Sequence, residues 1–92
     1  MNKAPDLKGL NILLFENDYP SLKQIESDLK NIGADVYTAD TFGQAMSILH
    51  RTRIEIIIAA IDLVDEQCIE MIKEYKTLHP DALFYVLAGR EY

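Results

Sequence analysis

The residues of this 92-residue chain that could do chemistry lie where its apolar segments end. Glu16, Asn17 and Asp18 follow one such segment, and Asp62 follows another. Carboxylate and amide oxygens in these places suit a divalent cation, and a carboxylate can also take up a phosphoryl group. The segment before Asp62, however, ends in Ala60, which carries only a methyl group.

Four short apolar segments and three amphipathic ones must position these side chains. The apolar segments, at residues 10–15, 34–39, 55–61 and 82–87, are rich in β-forming residues and predict strands. Apolar residues recur at helical spacing between them, which predicts three helices. The three predicted inward stripes are Leu22, Ile25, Leu29 and Ile32; Phe42, Ala45, Met46 and Leu49; and Cys68, Ile69, Ile72 and Tyr75. Strands that alternate with helices indicate an α/β fold with a parallel sheet.

Size and charge limit the classes of function. Residues 1–92 are enough for one domain, which begins with a polar lead at residues 1–9. Fifteen acidic against nine scattered basic residues give a net charge of −6, so we expect no nucleic-acid binding by this domain alone. No apolar run reaches a membrane-spanning length, and no signal peptide is visible. A lone Cys68 excludes an internal disulfide, and we expect a cytoplasmic protein.

Several local patterns, read together, resemble the receiver domain of bacterial response regulators. Residues 11–18 look like its opening strand and acidic pair, and residues 55–60 match its third strand. Residues 33–39 and 84–88 resemble its second and fourth strands, and no insertion or deletion is needed from Glu16 through Glu70. The resemblance covers residues 10–89. It implies a flavodoxin-like three-layer sandwich, truncated to a four-stranded parallel sheet of order 2-1-3-4.

The residues that carry the family's chemistry are largely replaced in this sequence. By the resemblance, the two adjacent carboxylates that hold Mg²⁺ fall on Glu16 and Asn17, and the phosphoaccepting aspartate falls on Ala60. The hydroxyl residue that binds the phosphoryl group falls on Ala88. The family's fifth strand, with its lysine, has no counterpart here. The resemblance therefore implies a degenerate, truncated pseudo-receiver with no cofactor, although weak Mg²⁺ binding near Glu16 and Asp62 stays open.

The leading hypothesis is a phosphorylation-independent protein-interaction module in signal transduction or transcriptional control, and not an enzyme. The partner would be a second copy, a histidine kinase, an output domain or another receiver. The alternative is a residual phosphoacceptor in a two-component phosphorelay. It would use Asp62, which lies two residues past Ala60 and on a strand would point the same way.

The last predicted strand is itself a candidate for contacts. The segment Leu83, Phe84, Tyr85, Val86 and Leu87 is apolar and contains no lysine or proline that would protect an edge. An unprotected edge of this kind pairs readily with another chain. We therefore expect a homodimer, or a docked partner, at this interaction edge.

Overall fold

The computed structural model describes residues 7–88, so residues 1–6 of the predicted lead and residues 89–92 lie outside the described part. The described chain alternates strands and helices. The strands are β1 (Asn11–Phe15), β2 (Asp35–Ala39), β3 (Ile56–Ala60) and β4 (Leu83–Leu87). The helices are α1 (Tyr19–Asn31), α2 (Phe42–Arg51) and α3 (Glu66–Leu78), with a 3-10 turn at Ile61–Leu63.

All four strands are parallel and lie in the order β2-β1-β3-β4. The predicted α/β fold and the order 2-1-3-4 are therefore confirmed. Each strand is one or two residues shorter than its apolar segment. In the central pairing Phe15 lies beside Ala59, and on the outer side Ala59 lies beside Val86. The carboxyl ends of β1, β3 and β4 thus meet at one edge of the sheet.

The larger core lies between the sheet and the helices α2 and α3. Strand residues Leu13, Phe15, Ile57 and Ala59 point to this side and are all buried. Helix residues that pack on them include Ala45, Ile48, Leu49, Cys68, Met71, Ile72 and Tyr75. Burial of this many apolar side chains at about 25 cal/mol per Å² is the main source of stability.

Helix α1 lies on the opposite face of the sheet. Ile12 and Leu14 are buried on this face, together with Leu22 of the helix. Helix residues Ile25 and Leu29, predicted to point inward, are only half-buried. A single helix thus leaves part of this face uncovered, and the uncovered part lies toward β3 and β4.

Each helix begins at a side-chain cap. Asp18 accepts a hydrogen bond from the Ser21 backbone N–H at 3.1 Å, and Thr41 accepts one from Gln44 at 3.2 Å. Asp65 caps α3 through the Cys68 backbone N–H at 2.8 Å. These caps satisfy N–H groups that have no partner within a helix.

The end of α1 is fixed by backbone geometry. Gly33 follows the helix with φ +100°, a left-handed conformation that a glycine adopts readily. A side chain there would also meet the Lys8 backbone at 3.2 Å. The chain therefore leaves α1 at Gly33 and continues into β2.

The prediction that Ile69 of α3 points inward is wrong. Ile69 is 40% exposed, whereas Met71 is buried in its place. Helical spacing allows either residue beside Cys68 and Ile72. The position of α3 over the sheet selects Met71, because its stripe is turned toward α2.

No helix in residues 7–88 is long and apolar enough to cross a membrane.

Candidate functional site

The candidate site lies at the carboxyl ends of β1 and β3, which are neighbours in the sheet. Continuing the register by one residue past the Phe15–Ala59 pair places Glu16 beside Ala60. Both belong to the alternating set that faces the α1 side, as do Leu14 and Ile58. Neighbouring strands lie about 4.8 Å apart, so the two Cβ atoms are close. The extended register thus places Glu16 and Ala60 next to each other at this edge of the sheet.

Glu16 is the unusual residue of this site, because it is charged and only 7% exposed. Its backbone N–H donates to the Ala39 carbonyl at 2.9 Å, which extends the β1–β2 pairing past the end of β1. Its carboxylate accepts a hydrogen bond from the Asp18 backbone N–H at 3.0 Å. That bond turns the carboxylate toward the β1–α1 loop and offsets part of the desolvation cost.

Ala60 is the last residue of β3 and is 8% exposed. Its methyl group is on the same face of the sheet as the Glu16 side chain. A carboxylate at this position could take up a phosphoryl group and bind a cation, whereas a methyl can do neither. Ala60 therefore brings no reactive group to this edge of the sheet.

The other predicted site residues lie at the surface. Asn17 is exposed in the β1–α1 loop, and Ala88 is exposed one residue beyond β4. Asp62 is exposed in the 3-10 turn, where the two-residue alternation of a strand no longer applies. The strand geometry that would aim Asp62 toward the site therefore ends at Ala60.

Nearby carboxylates have structural roles instead. Asp18 and Asp65 each cap a helix, so their oxygens are turned toward backbone N–H groups. Within the described range 7–88, no group of three or more His, Cys, Asp or Glu side chains is arranged to hold a metal ion. The site as built has one buried carboxylate, from Glu16.

Strand β4 forms the second candidate region. Leu83, Tyr85 and Val86 are 48%, 54% and 44% exposed, and β4 pairs with β3 alone in the described part of the chain. Leu83 and Tyr85 point to the α1 side beside the half-buried Ile56 and Ile58, while Val86 points to the α3 side. The outer backbone groups and both faces of this strand are thus accessible.

The sequence did not reveal two features of α3. The buried Tyr75 hydroxyl accepts from the Ile54 N–H at 2.6 Å and donates to the Ile54 carbonyl at 2.9 Å, which ties α3 to the start of β3. His50 and His79, which are far apart in the sequence, line one groove between α2 and α3. The sequence contained one signal for the first feature: Tyr75 lies on the predicted inward stripe of α3, and a buried tyrosine hydroxyl needs a polar partner.

Cys68 is a buried core residue, as predicted, and not a nucleophile. Burial raises the pKa of its thiol, and the nearby Asp65 charge raises it further. The thiolate, which is the reactive form, is therefore suppressed at neutral pH.

The arrangement of strands and helices is that of a flavodoxin-like α/β sandwich, with its loop-end site beside the central strands. Solved structures of response regulators have the same fold. The MaeR response regulator bound to beryllium trifluoride aligns with a TM-score of 0.70 and 19% identity, over 90% of this chain and 70% of that chain. HP1043, an orphan response regulator of H. pylori, aligns with a TM-score of 0.74 and 14% identity, over 96% and 70%.

A third similar structure is a response regulator from Burkholderia pseudomallei with a phosphorylated aspartic acid and a calcium ion. It aligns with a TM-score of 0.75 and 22% identity, over 89% of this chain and 48% of that chain. No family model matches the sequence, and no curated protein matches it. The predicted receiver resemblance is confirmed for the fold, which this chain shares over most of its length.

Proposed function

We propose that this chain is a receiver-like protein-interaction module that works without phosphorylation. It would act in signal transduction or transcriptional control, by binding a second copy of itself or by docking a protein partner. The observation that carries the proposal is Ala60, an inert methyl at the end of β3 and beside the buried Glu16. The chain has a fold that is associated with phosphoryl uptake, but the acceptor position of that fold, Ala60, carries no carboxylate.

The surroundings of Ala60 support the proposal. Phosphoryl transfer depends on placement of the nucleophile and on neutralisation of the phosphoryl charge. Asn17 brings no charge to a cation, and Ala88 brings no hydroxyl. The Glu16 carboxylate is already engaged by the Asp18 backbone N–H. One carboxylate without a second acidic partner is a weak Mg²⁺ site.

The direct test is chemical. The protein is incubated with acetyl phosphate and Mg²⁺ and then examined by intact-mass spectrometry. We expect no phosphoryl adduct. A stoichiometric adduct that is stable in acid and labile in base would refute phosphorylation independence, because it would identify an acyl phosphate.

The same assay decides between this proposal and a displaced acceptor at Asp62. Asp62 is exposed at the same end of the sheet, which is the observation that keeps the alternative testable. If Asp62 is an acceptor, Asp62→Asn abolishes labelling while Asp65→Asn leaves it intact. Asp65 is the matched control, because it lies three residues further along and serves as a helix cap.

We further propose that β4 is the surface through which two copies associate. Its exposed Leu83, Tyr85 and Val86 flank an edge whose backbone donors and acceptors can pair with a second β4 strand. The five residues of β4 are all apolar, so the strand carries no charge that would oppose this pairing. The two copies would extend one sheet across a twofold axis.

Light scattering over a concentration series tests the association. We expect a dimer for the wild-type protein and a monomer for Val86→Lys, because a lysine on an edge strand disfavours pairing. Leu78→Lys is the matched control, since Leu78 is 77% exposed but lies on α3, away from β4. A wild-type monomer at high micromolar concentration would contradict the proposal.

A further inference from the structure

A groove lies between α2 and α3, away from the strand ends that form the candidate site. It encloses about 480 Å³ and lies on the outer side of the helix layer. Its apolar lining comes from both helices and consists of Phe42, Met46, Leu49, Met71, Tyr75 and Leu78. Nothing in the site at Ala60 or in β4 uses these residues.

The floor and the rim of the groove differ in burial. Leu49, Met71 and Tyr75 are buried and belong to the core beneath. Leu78, at the end of α3, is 77% exposed, and Phe42 and Met46 are only partly covered. A contiguous apolar patch of this kind, continuous with the core, marks a contact surface more often than a scattered exposed leucine does. The two methionines give it a lining that can adapt to a partner.

The rim of the groove is acidic. Glu70 and Glu74 are four residues apart on α3, so they lie one turn apart along the same side of the helix. No lysine or arginine lines the groove within residues 7–88. Lys73 reaches Glu70 at 3.8 Å, but both side chains are about 70% exposed, and such a pair contributes little. The two carboxylates are therefore available to a basic partner.

The charge and the shape of the groove limit which kinds of molecule can bind in it. A second copy of this chain is disfavoured, since its net charge of −6 opposes an acidic rim. An extended peptide gains nothing here, because the groove walls are helix side chains and offer no unpaired backbone. A helix, by contrast, packs its ridges into the space between two neighbouring helices. The 13 residues of α3 give the groove a wall of about 20 Å, which matches three to four turns.

We propose that the α2–α3 groove binds a basic amphipathic helix of a protein partner. Its apolar residues at i, i+3 or i+4, and i+7 enter the groove, and its lysines or arginines face Glu70 and Glu74. This inference does not depend on the proposed function, because it concerns neither Ala60 nor β4. It adds a second, chemically distinct contact surface to the domain.

Peptide selection tests the proposal with no partner chosen in advance. The biotinylated protein is used to select from a phage-displayed library of random peptides of about 14 residues, the length that spans α3. Counter-selection on Leu78→Lys removes peptides that bind elsewhere. We expect the enriched peptides to share apolar residues at helical spacing and a net positive charge. Enrichment of acidic or extended sequences, or no enrichment over the counter-selection, would overturn the proposal.

Fluorescence anisotropy with the synthesised consensus peptide then locates the contact. Leu78→Lys should weaken binding roughly tenfold or more, as expected for an apolar anchor. Glu74→Lys should weaken it severalfold and make it less sensitive to salt. Ile69→Lys and Val86→Lys are the matched controls, since both residues are exposed but lie outside the groove. Equal affinity for wild type and Leu78→Lys, with both folded by circular dichroism, would refute the groove as the site.

Discussion

Replacing Ala60 by aspartate tests the geometry on which the proposed function depends. Ala60 is 8% exposed and lies beside Glu16, which is 7% exposed, so the substitution places two carboxylates in one poorly solvated site. If Ala60 occupies the acceptor position, Ala60→Asp should destabilise the protein through charge repulsion. Divalent cations should then restore the lost stability.

The magnitude follows from the strand spacing. Two carboxylates about 5 Å apart repel each other by about 3 kcal/mol at an effective dielectric constant of 20. Ala60→Asn is the matched control, because it adds nearly the same volume and polarity without the charge. The unfolding free energy of Ala60→Asp should therefore lie about 3 kcal/mol below that of Ala60→Asn near neutral pH.

The sign of the pH dependence is also fixed. Repulsion from Glu16 raises the pKa of the introduced carboxyl group in the folded state, so the folded protein binds its proton more tightly than the unfolded chain. The difference in unfolding free energy between Ala60→Asp and Ala60→Asn should therefore become smaller as the pH falls from about 7.5 to about 5. At neutral pH, Mg²⁺ at ten times its dissociation constant should restore about 1.4 kcal/mol.

Urea unfolding followed by far-ultraviolet circular dichroism is the appropriate assay, since the chain contains no tryptophan. Small single domains usually unfold in two states, which permits free energies from linear extrapolation. Equal stability of the aspartate and asparagine variants at neutral pH, with no response to pH or Mg²⁺, would refute the reasoning. Position 60 would then not face Glu16.

The remaining predictions concern single side chains. Tyr75→Phe removes the hydroxyl that pairs both backbone groups of the buried Ile54, and we expect urea unfolding to show a loss of about 2–4 kcal/mol. Hydrogen bonds from two lysines lower the pKa of Glu26, so Glu26→Gln should cost about 0.5 kcal/mol at neutral pH and low salt. This loss of stability should disappear as the pH falls through the lowered pKa of Glu26. A stability difference between wild type and Glu26→Gln that stays constant with pH would contradict the prediction. Cys68, whose pKa is raised by burial, should react with iodoacetamide only when the protein unfolds, and rapid labelling in native buffer would contradict this.

The order of elements could be read from the sequence because it depends on local patterns. Short β-branched segments and amphipathic stripes each act within a few residues. The parallel arrangement follows from their alternation, because a strand–helix–strand unit folds back in one hand. The prediction failed for Ile69, where periodicity permits two neighbouring stripes on α3 and only packing against α2 chooses between them.

The candidate site was only partly accessible to the same reasoning. The sequence placed Glu16 and Ala60 at strand ends, and the register of β1 and β3 then put them side by side. It did not reveal that Glu16 is buried and held by the Asp18 backbone N–H, because burial depends on the elements that surround a loop. The two-residue alternation of β3 does not extend to Asp62, which lies two residues past the strand end, since the 3-10 turn begins directly after Ala60.

The sequence by itself determined that Ala60 and Ala88 carry methyl groups, which hold no nucleophile and no hydroxyl in any conformation. Only the tertiary structure decided which surfaces are exposed. The accessible edge of β4 and the acidic groove between α2 and α3 are each formed by residues far apart in the chain. Their exposure depends on how the helices cover the sheet, which local sequence patterns do not specify.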